Sequence, residues 1–110
     1  MIRRVGIIGA GWVGSSVAIS TLHSGIADEV LLHDAREATA EGEAMDLAHG
    51  ASFFPSASVR SATLDEMLDT DAVVVAAGRG GRPGESRLEL LQDNATVTRS
   101  IGDRLRGYRG

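Results

Sequence analysis

The chain of 110 residues has no cysteine and no lysine. The first absence removes disulfides, thiol nucleophiles and cysteine-based zinc sites together. The second leaves all eleven basic side chains as arginine, a compositional bias to which no function attaches. Basic charge is not in excess: the net charge is −4, which argues against nucleic acid or an anionic membrane as partner. Long apolar runs are missing too. Glycines interrupt the stretch behind Arg3 and Arg4 before it could serve as a signal-peptide core, and no run approaches the ~20 residues of a membrane helix. A cytoplasmic protein is the expectation. There is no internal repeat and no low-complexity segment. What remains is an ordinary globular composition, 43% hydrophobic and 24% charged, with length for one domain.

The stretch around which the chain is organised is its beginning. Val5–Ile8 reads as a buried strand and leads into Gly9-Ala10-Gly11-Trp12-Val13-Gly14, after which a helix is predicted over Trp12–Ser24 with Gly25 as its stop. Val13, Val17, Ser20 and Leu22 fall near one face of that helix. A second strand, Glu29–Asp34, ends on an acid. A second helix runs from Arg36 to about His49, with Ala38, Met45, Leu47 and Ala48 among its apolar positions. Gly50–Ala57 reads as a loop with an apolar plug around Phe53, Phe54 and Pro55. Ser58–Ala62 is a weak strand, and Thr63–Leu68 a short helix in which Thr63 and Glu66 are spaced as a capping box. Ala72–Ala77 has the composition of a central strand. A cationic, glycine-rich loop over Arg79–Gly84 follows, then a long helix from Glu85 to about Arg106 with Leu88, Leu91, Ala95 and Ile101 near one stripe. Alternating strands and helices predict an α/β fold, a doubly wound parallel sheet of the Rossmann type with its ligands beyond the carboxyl ends of the strands. Such a fold has six strands when complete. This chain supplies about four and stops at what looks like the turn before a fifth, so it is expected to be cut short.

Each glycine of the turn has its own reason. Gly9 permits the sharp exit from the strand, Gly11 lets a pyrophosphate approach bare backbone, and Gly14 lets helix and strand pack closely. The amides of the first helical turn, with the helix dipole behind them, then face the phosphates. Asp34 stands 20 residues beyond Gly14 at the end of the second strand. A carboxylate there accepts from both ribose hydroxyls of NAD and repels the 2′-phosphate of NADP. The plainer reading of Asp34 is a solvated loop acid. Arg36, two residues on, is the one group that could greet a 2′-phosphate instead. A methyltransferase also uses a glycine turn after its first strand and an acid closing its second, so the distinction lies after the fourth strand.

There, three segments in register carry a resemblance. They are Gly9–Gly14 with Asp34, then Gly42-Glu43-Ala44-Met45-Asp46-Leu47-Ala48-His49-Gly50, then Ala77-Gly78 followed by Pro83-Gly84-Glu85-Ser86-Arg87-Leu88 and Asn94. Together they cover the chain and resemble the L-lactate/malate dehydrogenase family, the lactate branch more than the malate branch. The resemblance implies that residues 1–110 are a partial NAD-binding Rossmann domain whose catalytic domain lies outside this chain. It implies NAD as cofactor, held by Gly9, Ala10, Gly11, Trp12, Val13, Gly14 and Asp34, with Val13 against the adenosine side. Gly78 and Arg79 would lie near the nicotinamide ribose, and Asn94 and Ser100 would contact the cofactor or the substrate end from the long helix. Arg87 matches the arginine of the mobile loop that closes over a 2-oxo or 2-hydroxy acid and polarises its carbonyl. Without the resemblance it is a solvated arginine in a helical first turn. The residue that separates lactate from malate, normally Gln or Arg, falls on Gly81. Glycine neither pairs with a second carboxylate nor fills the space. Arg82 beside it would favour oxaloacetate if it reached in, while the vacancy at Gly81 would admit a longer 2-oxo acid.

None of His23, His33 and His49 matches the family's catalytic histidine. Glu41, Glu43 and Asp46 share a helix without a convergent histidine and read as a solvated face rather than a metal site. Two functions stay open: the amino-terminal part of an NAD-dependent L-2-hydroxy acid dehydrogenase, most simply L-lactate dehydrogenase with malate dehydrogenase as alternative, or a non-catalytic dinucleotide-binding module. In either case the chain alone is expected to be inactive, since it lacks the acid/base. The intact protein is expected to form a homo-oligomer through the segment Arg36–His49.

Overall fold

The computed structural model describes residues 1–50 and 53–110. Four strands, β1 (Arg4–Ile8), β2 (Glu29–His33), β3 (Ser58–Ser61) and β4 (Ala72–Val75), form one sheet in the order β3-β2-β1-β4. Every pairing is parallel, with Ile7 opposite Leu32 on one side and Val74 on the other. The order reverses direction between β1 and β4. In sheets of this kind that reversal opens a crevice at the carboxyl ends, where ligands bind.

Helices α1 (Trp12–Ser24) and α2 (Glu37–His49) cover one face, meeting Ile7, Val30 and Leu32 through Ala18, Leu22, Ala44 and Leu47. A 3₁₀ turn (Asp65–Asp69) and helix α3 (Arg87–Arg104) cover the other, where Ile8, Leu31, Met67 and Ile101 form the core. Gly6 makes room there: a Cβ on it would lie 2.4 Å from the Met67 sulfur, so the thioether occupies the missing side chain's place.

The helices are rotated from the faces the sequence predicts. In α1 the buried residues are Gly14, Ala18, Thr21 and Leu22, and Val13 and Ser20 are exposed. Because Gly14 must abut β1, the helix turns its small residues inward and Val13 outward. In α2, Ala40, Ala44 and Leu47 are buried while Ala38, Met45 and Ala48 face out. In α3 only Ile101 of the predicted stripe is buried; Leu88, Leu91 and Ala95 are exposed. Leu90 and Asn94 are the half-buried residues on that helix's inner side, with Leu105 half-buried just past its end. The short helix predicted at Thr63–Leu68 is the 3₁₀ turn, yet its capping box forms, with Thr63 N–H on Glu66 Oε2 at 2.7 Å and Glu66 N–H on Thr63 Oγ at 3.3 Å. Gly25 ends α1 in the left-handed conformation as expected. β4 stops at Val75, two residues short of the predicted strand. Within the predicted loop Gly50–Ala57, Ala51 and Ser52 lie outside the described residues. Phe53 is exposed, so the plug is Phe54, whose ring meets His23 edge-on at 4.7 Å.

Candidate functional site

At the carboxyl end of β1, Gly9 adopts φ +106°, a region that favours glycine, and donates its N–H to the His33 carbonyl at 2.7 Å. A Cβ on Gly9 would lie 2.6 Å from the Ala76 carbonyl oxygen. The turns after β1 and β4 therefore touch, backbone to backbone, where the strand order reverses. A Cβ on Gly14 would lie 1.6 Å from the Gly9 oxygen, whereas one on Gly11 would meet nothing within 4 Å. Two glycines of the motif are thus filled by the protein, and the third faces open space.

Helix α1 begins there uncapped. Gly11 is its N-cap, no side chain accepts from its first amides, and its first turn carries no acid. Beside it stands Asp34, half-buried, with Oδ2 accepting from Ala10 N–H and Oδ1 from Arg36 N–H, each at 2.9 Å. An ionised carboxylate has about four acceptor sites, so capacity remains for a ligand's hydroxyls. A cleft of about 550 Å³ opens alongside, lined by His33, Asp34, Ala62, Thr63 and Leu64 on the sheet side and by Arg104 of α3. His33 does not aim freely into it, since its Nδ1 donates to the Ala62 carbonyl at 2.9 Å.

The loop after β4 is anchored on α3. The Asn94 side chain accepts from Arg79 N–H at 2.9 Å and donates to the Arg79 carbonyl at 3.2 Å. The Arg79 guanidinium uses all five donors within the protein. Nε and one terminal nitrogen bond Asp93 at 3.2 and 2.7 Å, Nη1 bonds the Gly80 carbonyl at 3.3 Å and Glu85 at 2.8 Å, and Nη2 also bonds Glu85. The hydrogen bonds that Arg79 donates hold the Glu85 carboxyl down at about 2, and its bonds to the Glu85 and Asp93 carboxylates raise Arg79 above its ordinary value. Ser86 then caps α3, its hydroxyl accepting from Glu89 N–H at 3.2 Å.

A sheet that reverses at a glycine turn, an open Gly11 and an acid bonded to that turn describe a dinucleotide site. The sequence model of the family described as lactate/malate dehydrogenase, NAD binding domain, matches residues 3–109. The chain belongs to that family. Among relatives, the L-lactate dehydrogenase of Fervidobacterium nodosum is 44% identical over 105 residues, which is 96% of this chain and 34% of that protein. A ligand-bound crystal structure of the minor L-lactate dehydrogenase from Enterococcus mundtii superposes with a TM-score of 0.93 at 39% identity, over 99% of this chain and 36% of that one. The malate dehydrogenase of Picrophilus torridus follows at a TM-score of 0.87 and 28% identity, over 98% and 35%. The chain spans about a third of the length of the relatives it matches.

Within this lactate/malate dehydrogenase domain, the structure brings Gly9, Ala10, Gly11, Gly14 and Asp34 together and places Trp12 and Val13, both exposed, on the first turn of α1. Gly78 sits against Asn94, a Cβ on it lying 3.2 Å from the Asn94 oxygen. Arg79 offers a cofactor no free side-chain donor, because Glu85, Asp93 and Gly80 hold its guanidinium. Gly81, Arg82 and Arg87 are exposed, and among the described residues neither Arg82 nor Arg87 has an ion-pair partner. Ser100 is exposed on α3, six residues beyond Asn94 and so rotated about 120° from the face that meets the loop. The Ala10–Asp34 bond and the anchoring roles of Glu85 and Asp93 are not among the features that the sequence pattern singles out. The S-x-x-E spacing of Ser86 and Glu89 was a signal for the helix start at Arg87 rather than Glu85; for the Arg79–Asp93 pair no local signal exists.

Proposed function

We propose that residues 1–110 are the partial NAD-binding domain of an NAD-dependent L-2-hydroxy acid dehydrogenase of the lactate type. One observation carries this reading: the Asp34 carboxylate is bonded to the Ala10 amide, so the acid and the glycine turn form one site. The residues present suit the cofactor. Gly11 leaves open the space where a pyrophosphate would lie over the uncapped amides of α1, and Asp34 retains lone pairs for the adenosine ribose. NAD, when bound, supplies the hydride acceptor or donor for the 2-hydroxy/2-oxo acid pair. Arg87, exposed and among the described residues without an ion-pair partner, is the cation that polarises the 2-oxo acid carbonyl and stabilises charge developing on its oxygen. Gly81 and Arg82 lie on the loop facing the rest of the substrate.

The proton donor and the grip on the substrate carboxylate belong to the catalytic domain outside this chain, so the isolated chain binds cofactor without turning over pyruvate or oxaloacetate. For the complete enzyme we infer a cytoplasmic homo-oligomer with α2 at a subunit contact. The identity to L-lactate dehydrogenases favours pyruvate as the 2-oxo acid. The exposed Arg82 beside Gly81 supports oxaloacetate as the second reading.

The test is a titration of the single tryptophan, Trp12, whose fluorescence reports on the start of α1. NADH is expected to bind at least tenfold more tightly than NADPH, and Asp34→Asn to erase most of that preference. Equal binding of the two cofactors by the unaltered chain would overturn the assignment.

A further inference from the structure

The loop that leads into Arg87 has little to order it. Between Gly78 and Gly84 four of seven residues are glycine, and a Cβ on Gly80 or Gly84 would meet nothing within 4 Å. A stretch so rich in glycine and so poor in packing loses much chain entropy when it is fixed. Yet both its ends are tied to one helix. The Asn94 amide clasps the Arg79 backbone at one end, and at the other Glu85 precedes the Ser86 cap and Arg87 directly. The Arg79 guanidinium joins the two: it holds Glu85 through both carboxylate oxygens while also bonding Asp93 on the first turns of α3. Its side chain is 25% exposed and that of Glu85 is 11% exposed. A bidentate arginine–carboxylate pair fixes direction as well as distance.

We propose that Arg79 is a positioning residue for Arg87, its guanidinium folding the glycine-rich loop back onto α3 and so fixing where the Arg87 side chain leaves the protein. This rests on the role given to Arg87 above. The charged groups around Arg79 are Glu85 and Arg82 from the loop and Asp93 from α3. Lysine, a point charge with three donors, cannot hold two carboxylates and a carbonyl in the same fork.

Two measurements test it. In this chain, backbone ¹⁵N order parameters over residues 79–86 are expected to fall in Arg79→Ala from rigid values of about 0.85 to below about 0.6, with β1 and α1 unchanged. Arg79→Lys should fall between, and Glu85→Gln should reproduce part of the loss if the alanine variant folds poorly. In the complete dehydrogenase, Arg79→Ala is expected to lower kcat about tenfold at unchanged KM for NADH, and Arg79→Lys to restore part of it. A loop that stays rigid in Arg79→Ala, or a raised KM for NADH at unchanged kcat, would overturn the proposal. Failure of the unaltered chain to bind NADH would instead count against the dehydrogenase reading, and the order parameters would still decide whether Arg79 holds the loop.

Discussion

Gly11 and Gly14 belong to one motif but answer to different constraints. A methyl group at position 14 would overlap the Gly9 carbonyl, at 1.6 Å from its oxygen, whereas one at position 11 would enter open space. Gly11 also has φ −77°, which alanine adopts without strain. Gly14→Ala is therefore expected to destabilise the fold by about 3 kcal/mol or more, since backbone rather than a flexible side chain stands in the way. Gly11→Ala should change stability by less than about 1 kcal/mol but weaken NADH at least tenfold, because its Cβ takes the space proposed for the pyrophosphate. Urea unfolding of both variants, beside NADH titration of Gly11→Ala, checks the contrast. The close packing at Gly14 and the open space at Gly11 were legible in the sequence because the spacing of the motif dictates them. The role of Gly9 was legible only in part: a sharp turn follows from sequence, but its contact with Ala76 depends on β4 lying next to β1, which no local pattern states.

Elements were easier to find than to orient. Some starts and stops follow local chemistry, such as Gly25 closing α1 and the Thr63–Glu66 box, and those could be read residue by residue; the end of β4 and the start of α3 each fell two residues from the expectation. Facing is settled by tertiary partners. The apolar set Leu88, Leu91 and Ala95 looked like the inner side of α3, but the pairing of Asn94 with the Arg79 backbone turns a polar residue inward and those three outward. The same junction has a pH dependence whose sign follows from Glu85. Its hydrogen bonds with Arg79 lower its carboxyl from an ordinary 4.5 to about 2, so the contribution of the pair is complete above about 4.5 and is lost as pH falls toward 2. Loop order at residues 79–86 is thus expected to hold at pH 5 and above and to decline below pH 4.5. NMR order parameters measured down the acid range would show it, and in Glu85→Gln the decline should be absent because the tie is already lost. A loop equally ordered at pH 2.5 and pH 6 would contradict this account.

At the scale of the whole molecule, the proposed cofactor site is a meeting of parts that are weak alone. The glycine turn leaves β1, Asp34 ends β2, the Ala76–Gly78 turn leaves β4, and only the order β3-β2-β1-β4 brings the three to one crevice. A ligand spanning them binds the folded chain and not the unfolded one, so its binding energy appears as stability. NADH at 100 times its dissociation constant should add about 2.7 kcal/mol, which for a domain of this size raises the melting temperature by roughly 10 °C. Pyruvate alone should leave it unchanged, because the groups assigned to the 2-oxo acid, Arg87 at the start of α3 and Gly81 and Arg82 on the glycine-rich loop before it, all stand exposed. Scanning calorimetry with NADH, NADPH and pyruvate in turn separates the cases. A rise with NADH alone marks a cofactor domain whose substrate grip lies in other sequence. A rise with pyruvate alone would mean that residues 78–94 already form a substrate pocket, and the division of labour between this chain and a catalytic domain would have to be redrawn.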